Sequence, residues 1–257
     1  MIFILNAFIS IAFISINLFG RLKMFKLLKL PDIVSFSNLV FGVISIFLLI
    51  TVDLNLPNVI SVSAAILLLA AVADGLDGYL ARKYKGGSLG EHIDSLADTV
   101  SFGVAPTVLL ISYCKVNSSN NIIFIACIAG IIYILCGVYR LARYNAFHTP
   151  GTGYDGIPIT GASVGISTFT LFFDKFSFPN SDIILILITL IFSYIMISTI
   201  PYPKIHQKII FQFLIVVFTF TVLSSLSNSV YAAIAPGILS FLMIIYILSP
   251  VFIKNSN

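Results

Sequence analysis

Charge is what this sequence has least of. Only 9% of its 257 residues are Asp, Glu, Lys or Arg, against 59% hydrophobic, and the mean hydropathy is +1.08. A soluble domain carries about a quarter charged residues, so a surface that faces water on all sides is excluded. Cysteine is scarce as well. Cys114, Cys127 and Cys136 sit in or beside apolar stretches without metal-ligand spacing, and they read as small packing residues rather than a thiolate metal site. The short alternating segments that would mark a membrane β-barrel are also missing.

What is present is a series of apolar stretches, each about 20 residues long, recurring from end to end, the length a helix needs to cross a bilayer. The fold expected is therefore all-α, a polytopic transmembrane helix bundle. Eight spans can be read, over roughly 33–54, 57–81, 93–114, 121–145, 158–174, 181–200, 208–227 and 230–252. The breaks between them are polar or turn-rich, which is where a chain in lipid tolerates irregular backbone.

The scarce cations orient this map. With the start of the first span in the cytoplasm, Arg21, Lys23, Lys26, Lys29, Arg82, Lys83, Lys85, Arg140, Arg143, Lys204, Lys208 and Lys254 fall on the inner side. Only Lys115 and Lys175 fall outside, a twelve-to-two split that follows the positive-inside rule. The reading is a multi-pass protein of the cell membrane. Residues 1–23 form a hydrophobic extension that reads as a ninth span, a signal-like segment or sequence upstream of a start at Met24. Residues 24–32 read as a basic, partly amphipathic helix on the inner surface, opening a membrane domain that runs over 24–257.

The carboxylates inside this apolar background carry the chemistry. Asp74 and Asp77 are three apart near the inner end of the second span, so they share a helix face. Asp94 and Asp98 are four apart at the inner start of the third span and share a face too. A short loop joins the two helices as an antiparallel pair, which lets all four acids converge at one depth near the cytoplasmic surface. Each Asp costs about 2.5–3.5 kcal/mol at mid-membrane on insertion scales, less near the interface, and mutual repulsion adds to this. Divalent cations would offset that cost, and two of them sharing carboxylates would suit a phosphate ester. The other reading of the acids is a proton or cation pathway, as in a transporter. Gly75, Gly78 and Ala81 line the same turns and leave room for a ligand or a close helix neighbour. Arg82, one turn beyond Gly78, is placed to meet a phosphate. Arg140 and Arg143, three apart at the inner end of the fourth span, read either as snorkelling side chains or as an anion site for an acceptor carboxylate or a phosphate.

Asp74, Asp77, Gly78, Ala81, Arg82, Gly90, Asp94 and Asp98 stand in the pattern D-x-x-D-G-x-x-A-R followed by G-x-x-x-D-x-x-x-D. In this signature, over 74–98, the chain resembles the CDP-alcohol phosphotransferases, and the likeness extends through residues 33–165. The run from Asp94 to Pro106 (DSLADTVSFGVAP), the run from Arg140 to Asn145 (RLARYN) and Gly156 to Pro158 resemble the phosphatidylserine synthase branch. The turn from Pro201 to Lys204 is similar to archaeal members, whose lipid is archaeol. Two positions depart from the pattern. Seven residues separate Arg82 from Gly90 where eight are usual, and His92 stands where serine enzymes often carry Glu.

The resemblance implies transfer of a phosphatidyl or archaetidyl group from a CDP-linked lipid to L-serine, with release of CMP. Glycerol 3-phosphate or an inositol phosphate is the alternative acceptor. It implies a divalent metal, Mg²⁺ or Mn²⁺, as two ions on Asp74, Asp77, Asp94 and Asp98, with Asp98 also the general base. It places the CDP-lipid against Gly78, Ala81, Arg82 and Gly90, and it implies a homodimer. The partners expected are membrane lipid and these substrates, with no nucleic acid.

Overall fold

Lipid offers the backbone no hydrogen-bond partners, so apolar runs of spanning length become helices. The computed structural model describes residues 30–84, 90–147, 154–176, 178–202, 218–222 and 234–254. Helix α1 is Leu30–Thr51, α2 is Val59–Tyr84 and α3 is Gly90–Asp98. A π-helical segment, Thr99–Val104, joins α3 without a break to α4, Ala105–Asn117. Then follow α5 (Asn120–Phe147), α6 (Ile159–Phe176), α7 (Ser181–Ile197) and α8 (Ile234–Lys254). Helices occupy most of the expected spans over 33–54, 57–81, 93–114, 121–145, 158–174 and 181–200, and the described part of the span over 230–252 is helical from Ile234. The span over 208–227 lies mostly outside the described residues, as do the extension 1–23 and most of the surface helix over 24–32.

Stretches 32–51, 59–78, 90–117 and 120–147 are each long and apolar enough to cross a membrane, and α7 and α8 supply shorter apolar helices. The chain is a multi-pass membrane protein. The helices are not equivalent within it. Stretches 32–51 and 120–147 are only 28% buried inside the bundle, whereas 59–78 and 90–117 are 56% and 61% buried. The two central helical stretches are the ones that carry the acids.

Helix α6 was expected as an ordinary span, yet it is the most enclosed of the described helices. Ser163, Ser167, Thr168 and Thr170 are buried along it, packed between α2, α7 and α8. A small-residue surface lets neighbours approach closely: a Cβ on Gly165 would lie 2.2 Å from the Phe192 ring of α7. Gly156, at φ +75, turns the chain between α5 and α6. There Tyr154–Asp155 (β1) pairs antiparallel with Pro201–Tyr202 (β2), tying the entrance of α6 to the exit of α7.

The π segment is the main irregularity. Its ladder runs from residue i to i+5, as in the bond from the Ala105 N–H to the Val100 carbonyl, and side chains add to it. The Tyr133 hydroxyl donates to the Phe102 carbonyl at 2.9 Å, and the Thr107 hydroxyl donates to that of Gly103 at 3.0 Å. On the opposite side the Ser101 hydroxyl donates to the Asn38 carbonyl of α1 at 3.0 Å. This approach requires a glycine in α1, because a Cβ on Gly42 would sit 2.5 Å from Ser101 Oγ and 2.7 Å from its Cα.

Candidate active site

The three- and four-residue spacings bring the acids together across α2 and α3. Carboxylate oxygens of Asp74, Asp94 and Asp98 all lie within 4.8 Å of one another. Asp77, the fourth acid, is within hydrogen-bonding reach of Asp94 and also takes bonds from the Gly78 backbone and the Ser35 side chain. Asp77 and Asp98 are buried.

Each acid is held by a different element. The Thr160 hydroxyl, at the start of α6, donates to Asp74 Oδ2 at 3.0 Å. Asn38 Nδ2, in α1, donates to Asp98 Oδ1 at 3.0 Å. The Asn145 amide at the end of α5 donates to Ser95 Oγ at 2.8 Å, fixing the turn of α3 beside Asp94. Asp32 of α1 is buried at the start of α3, where a Cβ on Gly90 would meet its Oδ1 at 2.6 Å. Gly90 is thus a packing position for α1.

The electrostatics are unbalanced. Three carboxylates within 4.8 Å of one another repel by about 3–4 kcal/mol per pair at an effective dielectric of about 20. Among the described residues, buried Arg140 on α5 is a cation whose charge reaches Asp74. That one arginine does not neutralise four acids. Asp77 Oδ2 and Asp94 Oδ1 are buried with no hydrogen-bond partner among the described residues, so they remain available as ligand atoms. Clustered hard oxygens with unfilled coordination suit Mg²⁺ or Mn²⁺. The residues fit a divalent metal.

Arg143 lies elsewhere in function from its neighbour. Its Nη2 donates to the Asp155 carbonyl at 2.7 Å, and its two Nη atoms reach the Ile197 and Ser198 carbonyls at 3.2 and 3.3 Å. The guanidinium therefore caps the end of α7 and links it to β1. Gly78 is on α2 between the acids and the C-terminal end of that helix; the side chains of Ala81 and Arg82 lie outside the described residues.

Asn38, Ser35, Thr160 and Asp32 did not emerge from the sequence reading. A signal existed for α1: Asp32, Ser35 and Asn38 recur at intervals of three in a largely apolar helix, and polar side chains in a span ordinarily face a bundle interior. Thr160 had no such signal, since a lone threonine in a membrane helix commonly bonds its own backbone.

A sequence profile of the CDP-alcohol phosphatidyltransferase family matches residues 28–195, which include every side chain placed in the site above. Among curated proteins, the chain is 35% identical over 188 residues to the archaetidylserine synthase of Methanothermobacter thermautotrophicus, covering 71% of this chain and 73% of that one. It is 34% identical over 185 residues to a CDP-diacylglycerol–serine O-phosphatidyltransferase of Methanocaldococcus jannaschii, covering 72% and 78%. It is 30% identical over 179 residues to the enzyme of the same name from Helicobacter pylori, covering 68% and 71%. The acidic cluster, the helices that hold it and the extent of the profile match lead to one conclusion: the chain belongs to the CDP-alcohol phosphatidyltransferase family.

Proposed function

We propose that this protein transfers a phosphatidyl or archaetidyl group from a CDP-linked lipid to the hydroxyl of L-serine, releasing CMP. The observation that carries the reading is the convergence of Asp74, Asp94 and Asp98 at the meeting of α2 and α3, in a chain whose relatives are named for this transfer. A divalent metal, taken as two ions of Mg²⁺ or Mn²⁺ held by Asp74, Asp77, Asp94 and Asp98, would supply charge neutralisation for the pyrophosphate and the departing CMP.

The chain's own residues do the rest. Asp98 accepts the proton of the serine hydroxyl as that oxygen attacks the lipid-side phosphorus. Its burial keeps water from competing as the nucleophile. Gly78, Ala81, Arg82 and Gly90 form the CDP-lipid side of the site, with Arg82 on a phosphate. Arg140, buried and near Asp74, meets the serine carboxylate or a phosphate. Arg143, with its Nη atoms on carbonyls, supports that anion site by fixing the chain at 155 and 197–198. The excess of Lys and Arg at one set of loops supports an active site opening on the cytoplasmic side, and we read the assembly as a homodimer.

The test is CMP release from CDP-diacylglycerol and from CDP-archaeol, with serine, glycerol 3-phosphate or an inositol phosphate as acceptor. Mg²⁺, Mn²⁺ and chelator form the metal arms. Serine-dependent, chelator-sensitive CMP release is expected. Release with another acceptor alone would overturn the serine assignment, and cation flux without CMP would overturn the enzyme.

A further inference from the structure

Helix α1 contributes no residue to the acidic signature, and most of its residues are turned away from the bundle. Its inward stripe is nevertheless polar. Asp32, Ser35, Asn38 and Ser45 are buried, while Ile33, Phe36 and Val40 between them are exposed. We infer that Asn38 is a positioning residue for the transfer reaction, holding one oxygen of Asp98 so that the other is presented to the reacting groups.

Three observations support this. Asn38 is fully buried, and its single side-chain hydrogen bond among the described residues runs from Nδ2 to Asp98 Oδ1 at 3.0 Å. Its Oδ1 has no partner among them, so the amide is not serving a wider network between helices. The amide orientation is set by chemistry, because the flipped form would place a carbonyl oxygen against a carboxylate. Finally, the backbone of Asn38 is itself pinned. Ser101, three residues beyond Asp98, donates to its carbonyl at 3.0 Å, and Gly42 allows α1 to press directly on that segment. The donor is thus fixed relative to the chain that carries the acid. A carboxylate with Oδ1 engaged cannot turn about its Cβ–Cγ bond without breaking that bond, which leaves Oδ2 as the working oxygen. Ser35 is within hydrogen-bonding reach of Asp77, so α1 faces one acid from each signature pair. An aspartate in place of Asn38 would add a further anion to the cluster; the neutral amide donates without that cost.

The inference rests on the catalytic reading of Asp98, and the test separates the two. Asn38→Ala, Asn38→Ser and the control Ser45→Ala are compared in CMP release, in Mn²⁺ binding followed by electron paramagnetic resonance, and in thermal unfolding. Ser45, on the same helix as Asn38, donates to the Ser63 carbonyl of α2, well away from the acids in sequence, so it reports a structural hydrogen bond alone. Loss of an outer-layer partner of a ligating group lowers activity or metal affinity by about 10- to 100-fold. Asn38→Ala is expected to lower kcat by that factor with the CDP-lipid KM within twofold, and to weaken Mn²⁺ binding. Asn38→Ser, which keeps a hydroxyl donor, recovers part of both. Ser45→Ala lowers the unfolding temperature with kcat unchanged. Should Asn38→Ala unfold, Asn38→Ser alone decides. Wild-type kcat and Mn²⁺ affinity in a folded Asn38 variant overturn the inference. If the wild type forms CMP only with another acceptor, kcat with that acceptor is the readout. If it forms none, the serine-transfer reading fails and Mn²⁺ affinity still decides for Asn38.

Discussion

Gly42→Ala is the substitution that most directly tests how the site is held. On helix propensity alone it should stabilise α1, since Ala is favoured over Gly by about 1 kcal/mol in a helix interior. The tertiary structure predicts the reverse sign. The new methyl would stand 2.7 Å from Ser101 Cα and 2.5 Å from Ser101 Oγ. Carbon atoms rest at about 3.5–4.0 Å, so α1 and the π segment must separate by roughly 1 Å. The Oγ can rotate away; the backbone Cα cannot. Asn38 is one turn earlier on the same helix, and a shift of that size would stretch its 3.0 Å bond to Asp98 beyond hydrogen-bonding range. Overpacking costs about 1–3 kcal/mol, and a hydrogen bond to a charged group contributes about 1.5–3 kcal/mol. Against a propensity gain of about 1 kcal/mol, the net expectation is a loss of about 1.5–5 kcal/mol.

Thermal unfolding in detergent and serine-dependent CMP release should both fall. Ser101→Gly in the Gly42→Ala background should recover only part of the loss, because it removes Oγ and Cβ but leaves the main-chain carbon of residue 101 against the new methyl. A Gly42→Ala variant that unfolds at the wild-type temperature and turns over normally would refute the close approach of α1 to the π segment, and with it the account of how Asn38 is fixed.

Other expectations follow from the same geometry. Asp98→Asn should lower CMP release by about 10²–10⁴-fold, the usual worth of a general base, while thermal unfolding and size-exclusion profile stay near wild type. Arg140→Lys should raise the serine KM with a smaller effect on the CDP-lipid KM, because an ammonium cannot reproduce the planar fork of a guanidinium; an unchanged serine KM would point to snorkelling instead. Gly165→Ala, whose Cβ would fall 2.2 Å from the Phe192 ring, should lower the unfolding temperature, and Phe192→Leu should relieve it in the double variant.

Periodicity made much of this protein legible without coordinates. Apolar runs of spanning length have one stable backbone solution in lipid, so helices over 33–54, 57–81, 93–114 and 121–145 follow from composition and length. Asp74 with Asp77, and Asp94 with Asp98, share helix faces because their spacing matches the helical repeat, and no knowledge of their neighbours is needed. What could not be read were relations between residues far apart in the chain. Asn38 and Asp98 are 60 positions apart, and Thr160 and Asp74 are 86 apart. Arg140 and Arg143 look alike on one helix face, yet one is buried toward Asp74 and the other is spent on carbonyls of α7 and β1. Nothing local distinguishes them.

Two decisions belong to the tertiary structure alone. Helix α6 reads as one more span, but its serines, threonines and Gly165 place it inside the bundle, because small residues admit neighbouring helices that bulky ones would hold off. The segment Thr99–Val104 reads as ordinary α-helix and is π-helical. Two of its carbonyls also accept from the Tyr133 and Thr107 hydroxyls, and Ser101 is anchored to α1. The acids and their spacing were settled by the sequence itself, since helix geometry is local. Their orientation was settled by α1, α5 and α6, since a carboxylate's direction depends on whichever donor the fold brings beside it.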